Sequence, residues 1–188
     1  SPQYYEYDTV VINEGDYIMQ NAANSGVGNY IIQLAKLYKI KTINLVRRKE
    51  VKTFLKKHGA DYVFHQNLDE NEKKFIKKIK PKLFVDAVAG KYLNNVANVL
   101  VDNSTIINYG LLSNQNIEIS PHNLIFKNII LKGFWLSLWL NNMSKEEKNK
   151  LYLHLSELII KKAISTKIQK VFHITNIKDA IKAAATYN

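Results

Sequence analysis

The chain contains no cysteine among its 188 residues. It therefore cannot form a disulfide or a cysteine-ligated zinc site. Its five histidines, at positions 58, 65, 122, 154 and 173, have no spacing typical of metal ligands, so we expect no metal site within the chain. No apolar run approaches the roughly 18 residues needed to cross a bilayer, and we expect no membrane partner.

A targeting signal is also missing from the start of the chain. The segment Ser1–Tyr7 has neither the apolar core of a secretory signal nor the composition of a transit peptide, and the first residue is not Met. We interpret the chain as a trimmed piece of a longer protein. The missing signal therefore says little about where the protein resides.

Acidic residues are few, with 16 Asp and Glu against 27 Lys and Arg, which gives a net charge of +11. Such a charge suits nucleic acid, an anionic cofactor or an acidic carrier protein. Most of the lysines, however, lie on predicted helices, where runs of charge usually face water. We expect no nucleic-acid partner, and a non-catalytic basic binding module remains a remote alternative.

Apolar periodicity predicts strands and helices in alternation. The predicted strands cover residues 16–20, 41–46, 62–64, 83–86, 105–109 and 129–133. The predicted helices cover residues 27–38, a segment ending at 58, and residues 70–79, 92–101, 145–162 and 177–187. Short connections between them are typical of an α/β fold with a doubly wound parallel sheet, that is, a three-layer α/β/α Rossmann fold of strand order 3-2-1-4-5-6. We expect one domain over residues 1–188.

A loop rich in small residues joins the first predicted strand to the first helix. Ala23, Ser25 and Gly28 occupy the three small positions of the G-x-G-x-x-G fingerprint, and Gly26 adds another position without a side chain. The fingerprint allows a tight turn, close approach of the pyrophosphate and helix packing, while the helix N-terminus attracts phosphate. Any tight strand-to-helix turn favours such residues, so the motif alone predicts a nucleotide site and little more.

The residues after the second strand indicate which nicotinamide nucleotide is bound. NAD-binding proteins have an acidic residue there for the ribose hydroxyls. This chain has Arg47, Arg48 and Lys49, with no carboxylate until Glu50. Arg matches the doubly charged ribose 2′-phosphate with a fork of donors. The cofactor predicted is NADPH, and a solvated basic cluster is the alternative.

Three segments resemble the enoyl thioester reductases of the medium-chain dehydrogenase/reductase superfamily. They are the loop at 20–28, the strand at 42–47 and, most specifically, residues 123–137 with the sequence Gly-Phe-Trp-Leu-Ser at 133–137. The resemblance implies reduction of the trans-2 double bond of enoyl thioesters carried on coenzyme A or acyl carrier protein, in fatty-acid synthesis. NADPH would supply the hydride. A quinone-reductase-like or zinc-free alcohol-dehydrogenase-like NADP(H) oxidoreductase is the alternative.

The resemblance also implies roles for residues of this chain. The residues expected at the pyrophosphate are Asn24, Ser25, Gly26 and Val27, and those expected at the 2′-phosphate are Arg47, Arg48 and Lys49. The residues expected at the nicotinamide are Tyr109, Gly110, Leu111 and Leu112, with Phe134, Trp135 and Leu136 lining the nicotinamide and acyl pocket. For Trp135 a place in the core is the simpler interpretation. Asp86 ends the fourth strand at the cofactor edge, and a cap of the following turn explains its position equally well.

The same family implies what lies elsewhere. Its proton-donating tyrosine belongs to a Gro-ES-like catalytic domain, so we expect no catalytic residue within this chain and no turnover by the chain alone. We expect a homodimer. The family's location is mitochondrial, with another organelle as the alternative.

Overall fold

The computed structural model describes residues 10–166, 168 and 170–186. Six strands form one parallel sheet: β1 (Tyr17–Gln20), β2 (Lys41–Val46), β3 (Tyr62–His65), β4 (Leu83–Asp86), β5 (Thr105–Asn108) and β6 (Ile130–Gly133). The eight helices of the described residues are α1 (Gly26–Leu37), α2 (Val51–Lys57), α3 (Glu70–Ile79), α4 (Tyr92–Val99), α5 (Pro121–Ile125), α6 (Leu136–Asn142), α7 (Lys145–Ile160) and α8 (Ile177–Thr186). A 3₁₀ turn, Ile174–Asn176, precedes α8.

The strand order is β3-β2-β1-β4-β5-β6, and every neighbouring pair is parallel. The predicted Rossmann fold and strand order are therefore confirmed. Chain connections of a parallel sheet must cross over its faces, which covers the sheet with helices on two sides.

Two apolar cores separate the sheet from its helical layers. The larger core packs strand residues such as Met19 and Phe84 against Ile76 of α3 and Leu93 of α4, all with 0% exposure. The smaller core lies on the α1 and α2 side, where Ile32 belongs to it. The last five residues of β2 are all buried, as expected of a central strand covered on two faces, and they include the polar Thr42 and Asn44, whose side chains bond to each other at 2.9 Å.

The helix boundaries follow local signals. Asp69 and Glu72 form a reciprocal capping box that begins α3, and Lys80, with a left-handed φ of 53°, ends it. Ser144 and Glu147 form the same box at the start of α7, as predicted from the sequence.

Two helices were not predicted. Helix α5 has only five residues, and α6 has no capping side chain at its N-terminus. Helix α4 ends at Val99, two residues before the predicted end, and the predicted last residue of α8, Tyr187, lies outside the described residues. Among the described helices, none is both long and apolar enough to cross a membrane.

The register brings the carboxyl ends of the strands to one edge of the sheet. Gln20 at the end of β1 is level with Asn44 of β2 and Val85 of β4, and Asn108 of β5 is level with Gly133 of β6. The segments that follow these strands therefore share this edge, which is the usual ligand-binding edge of such a sheet.

Candidate cofactor-binding site

The loop after β1 turns sharply and delivers the chain into α1. Ala22 adopts a left-handed φ of 46°, and the Ser25 amide donates to the Ala22 carbonyl at 2.8 Å. The Ser25 hydroxyl then accepts from the Gly28 amide at 3.1 Å and so caps the helix. A side chain at position 28 would begin 2.6 Å from the Ala23 carbonyl oxygen, so only glycine allows this packing.

The same loop presents unused backbone donors. The amides of Gly28 and Asn29 are bonded to Ser25, whereas those of Gly26 and Val27 have no acceptor within the part of the chain that the structure describes. Gly26 and Val27 are exposed, and nothing lies within 4 Å of the point where a Gly26 Cβ would stand. Free amides and the partial positive charge of a helix N-terminus suit a phosphate group.

Of the predicted 2′-phosphate residues, Arg48 lies beside this loop. Arg47, Arg48 and Lys49 are exposed directly after β2, and the ion pairs among the described residues do not involve them. Arg48 lines a cavity of about 420 Å³ together with Asn24 and Gly26 of the loop. The fold thus brings Arg48, predicted at the 2′-phosphate, next to Asn24 and Gly26, predicted at the pyrophosphate.

The segment after β5 closes over the same edge. The Tyr109 amide donates to the Asp86 carbonyl at 2.9 Å, and a Cβ on Gly110 would stand 2.6 Å from the Ala87 carbonyl oxygen. Burial raises the pKa of Tyr109, and the nearby Ser25 side chain acts in the opposite direction. The Tyr109 side chain therefore lies close to the phosphate loop. Leu111 and Leu112 are 68% and 72% exposed.

The residues after β6 extend this edge outwards. The Phe134 amide donates to the Asn108 carbonyl at 2.8 Å, and the Phe134 ring lies 5.9 Å from that of Trp139. Trp135 is 67% exposed and Leu136 is 54% exposed. The interpretation of Trp135 as a core aromatic is therefore wrong. The expected pocket lining by Phe134, Trp135 and Leu136 stays a prediction.

A buried polar network holds the strand ends in place, and sequence reasoning missed most of it. Asp86 has 0% exposure, and its carboxylate accepts from Asn21 Nδ2 at 2.5 Å and from Asn108 Nδ2 at 2.7 Å. It also accepts from the amides of Val88 and Ala89 at 3.0 to 3.2 Å. A buried carboxylate requires such a set of donors.

The network assigns Asp86 a structural role. It caps its own turn and ties β4 to the residues at the ends of β1 and β5, where Asn21 also accepts from the Ala87 amide at 2.8 Å. A signal was available in the sequence: Asn21, Asp86 and Asn108 are polar residues at or just after the ends of three apolar strands.

The described residues do not fit a metal centre. They contain no group of three or more His, Cys, Asp or Glu side chains close enough to hold an ion.

Comparison with known proteins agrees with this geometry. Residues 26–153 match the family model described as zinc-binding dehydrogenase. The chain is 37% identical over 170 residues to a mitochondrial enoyl-[acyl-carrier-protein] reductase of Dictyostelium discoideum, covering 87% of the chain and 49% of the relative. It is 39% identical over 155 residues to the enzyme of that name from Mus musculus, covering 79% and 42%. The chain thus spans about half the length of these relatives.

Solved structures give the same result. A mitochondrial 2-enoyl thioester reductase heterodimer from Candida tropicalis superposes with a TM-score of 0.83 at 25% identity, over 97% of this chain and 55% of that one. A mutant of the reductase Etr1p, solved with NADP and crotonyl-CoA, gives a TM-score of 0.79 at 27% identity, over 90% and 50%. The resemblance to enoyl thioester reductases is confirmed. The chain belongs to the zinc-binding dehydrogenase family and corresponds to the cofactor-binding half of its enoyl-reductase members.

Proposed function

We propose that this chain is the NADPH-binding half of an enoyl thioester reductase that acts in fatty-acid synthesis. The observation that carries the proposal is the placement of three exposed cations, Arg47, Arg48 and Lys49, directly after β2, with Arg48 lining the same cavity as the phosphate loop. Two relatives support the substrate class. One is named an enoyl-[acyl-carrier-protein] reductase, and the other was solved with crotonyl-CoA.

The residues present fit NADPH. The amides of Gly26 and Val27 are available to the pyrophosphate at the start of α1, and Asn24 and Ser25 complete the turn around it. Beyond β2 the first acidic residue is Glu50, so three cations precede any carboxylate. A ribose 2′-phosphate would find charge complementarity there, which a ribose hydroxyl does not require.

NADPH, when bound, supplies the hydride that reduces the double bond. We propose that this chain orients the cofactor. Tyr109, Gly110, Leu111 and Leu112 would lie beside the nicotinamide, and Phe134, Trp135 and Leu136 would exclude water from the acyl pocket. We assign no proton donor to this chain. It should therefore bind cofactor without reducing enoyl thioesters by itself.

Titration calorimetry with NADPH and NADH tests the cofactor assignment. Arg47→Ala and Arg48→Ala should each weaken NADPH binding by roughly 1.5–3 kcal/mol and leave NADH binding unchanged, because a hydrogen bond to a charged group is lost. Lys78→Ala removes an equal charge from the exposed surface of α3 and is the control. An equal loss for the two nucleotides would contradict the assignment.

The proposal about turnover has its own test. The purified chain, mixed with NADPH and crotonyl-CoA, should oxidise no NADPH. Reduction at an enzyme-like rate would show that the chain contains its own proton donor and would contradict this part of the proposal.

We also propose a homodimer in the mitochondrion. The relatives carry mitochondrial names, and one solved relative is a heterodimer. Strand β6 pairs only with β5 among the described strands, so its other edge is available to a second copy. Sedimentation of the chain as a monomer at micromolar concentration would contradict dimerisation through this edge.

A further inference from the structure

The cavity beside Arg48 has a wall that the fingerprint does not predict. Its lining includes residues of the phosphate loop, of α1 and of α2, together with Arg48, which precedes α2. The remaining lining includes Ser165 and Thr166, which belong to the segment after α7. This segment is more than 130 residues from the loop in sequence, so no local motif contains it.

A sharp reversal after α7 brings the segment back to α1. Lys162 adopts a left-handed φ of 55°, and the Ala163 amide donates to the Leu158 carbonyl at 2.8 Å, which is typical of a helix C-terminus. Ile164 is 5% exposed and anchors the returning chain. The following two residues are thereby held at the mouth of the cavity.

Hydrogen bonds to α1 fix the segment in this position. The Gln33 side chain donates to the Ser165 carbonyl at 3.1 Å and accepts from the Ser165 amide at 2.8 Å. One helical turn earlier, the hydroxyls of Tyr30 and Thr166 bond to each other. Tyr38, the residue that caps the C-terminus of α1, bonds to His154 of α7 at 3.2 Å, and neither residue lines the cavity.

The chemistry of this wall suits an anion. No carboxylate lines the cavity, and its ionisable groups are the guanidinium of Arg48 and the imidazole of His58. Tyr30, Ser165 and Thr166 contribute hydroxyls, which are short polar donors. The Ser165 hydroxyl makes no hydrogen bond within the described residues, so it remains available to a ligand.

We propose that the segment 163–166 and Tyr30 close the 2′-phosphate site of the cofactor, so that the hydroxyls of Tyr30, Ser165 and Thr166 determine the preference for NADPH together with Arg48. This inference rests on the proposed function, because it takes the ligand at the end of β2 to be a nucleotide with a 2′-phosphate. Phosphate would sit between a fixed positive charge and two free hydroxyl donors, one from Ser165 and one from the Tyr30–Thr166 pair, whose other hydrogen is used in the bond between them. Such an arrangement selects against a bare ribose, which leaves the guanidinium without a partner.

Three variants and a matched control test the wall. Ser165→Ala removes a hydroxyl and keeps the backbone bonds to Gln33, whereas Thr166→Val and Tyr30→Phe also remove the bond between their side chains. Each should weaken NADPH binding about tenfold and change NADH binding less than twofold, as expected for one hydrogen bond to a charged group at ~1.5 kcal/mol. Tyr38→Phe removes an equivalent bond between α1 and α7 away from the cavity and should change neither.

The outcomes separate the two proposals. If Arg48→Ala loses the wild-type preference for NADPH and all three wall variants keep it, the proposal about the wall is overturned and the proposed function stands. No preference for NADPH in the wild-type chain overturns the proposed function as well. If Ser165→Ala weakens the binding of NADPH and NADH equally, the effect is structural and the proposal about the wall is overturned. Phosphorus NMR of bound 2′,5′-ADP gives a second readout, since its 2′-phosphate resonance should shift in each wall variant and not in Tyr38→Phe.

Discussion

The phosphate loop makes a sharp prediction about two glycines that lie two residues apart. Gly28→Ala places a Cβ 2.6 Å from the Ala23 carbonyl oxygen and 2.7 Å from two further Ala23 backbone atoms. Gly26→Ala places the same atom where nothing lies within 4 Å. The clash at position 28 involves backbone, so it cannot be relieved by a rotamer change.

The two variants share a helix-propensity gain of up to ~1 kcal/mol for alanine over glycine, because the two positions are in the first turn of α1. Overpacking against fixed atoms costs about 1–3 kcal/mol, and only Gly28→Ala pays it. The difference between the two free energies of unfolding should therefore be about 1–3 kcal/mol.

Urea unfolding followed by circular dichroism measures this difference directly, with a common slope confirming that the unfolded states are alike. Gly26→Ala should unfold at the wild-type midpoint or slightly above it. Free energies of unfolding for the two variants that agree within ~0.5 kcal/mol would refute the reasoning about how the loop packs on α1.

Three further predictions concern Asp86, Tyr92 and Trp135. Asp86→Asn should lower the free energy of unfolding by about 1–3 kcal/mol in urea titrations, because its new amide would face the donors that the carboxylate accepts from; an unchanged midpoint would contradict the network. Burial and, secondarily, the charge of Asp86 raise the pKa of Tyr92, so the free energy of unfolding should fall as pH rises above about 10, where the unfolded side chain ionises. Tyr92→Phe should reduce this dependence of the free energy of unfolding on pH, measured by unfolding at several pH values. An equal dependence in the variant and the wild type would contradict the prediction. Trp135→Ala should change the free energy of unfolding by at most ~0.5 kcal/mol, since the side chain is 67% exposed, and a loss of roughly 3 kcal/mol would restore the core interpretation.

Much of the fold could be predicted because local signals and periodicity agree. Helix α3 has apolar spacing, a capping box at Asp69 and a proline after its end, and its bounds were predicted to the residue. Helix α6 escaped prediction because its sequence, Leu-Ser-Leu-Trp-Leu-Asn-Asn, contains neither a cap nor a polar face of helical period. It forms shortly after the edge strand β6, so its position depends on tertiary structure that a local pattern does not contain.

The candidate site divides in the same way. The loop and Arg47–Lys49 follow single strands, so a linear motif reveals them. The network of Asn21, Asp86 and Asn108 depends on three strands meeting at one edge. Ser165 reaches the site only through the reversal at Lys162, and no local pattern indicates that contact.

The most direct test of the central claim is the reduction of crotonyl-CoA by the full-length protein that contains this chain, measured with NADPH and with NADH. We expect turnover with NADPH that is at least tenfold more efficient than with NADH, and a loss of that preference in Arg47→Ala. Reduction of quinones by NADPH with no reduction of crotonyl-CoA would contradict the assignment as an enoyl thioester reductase.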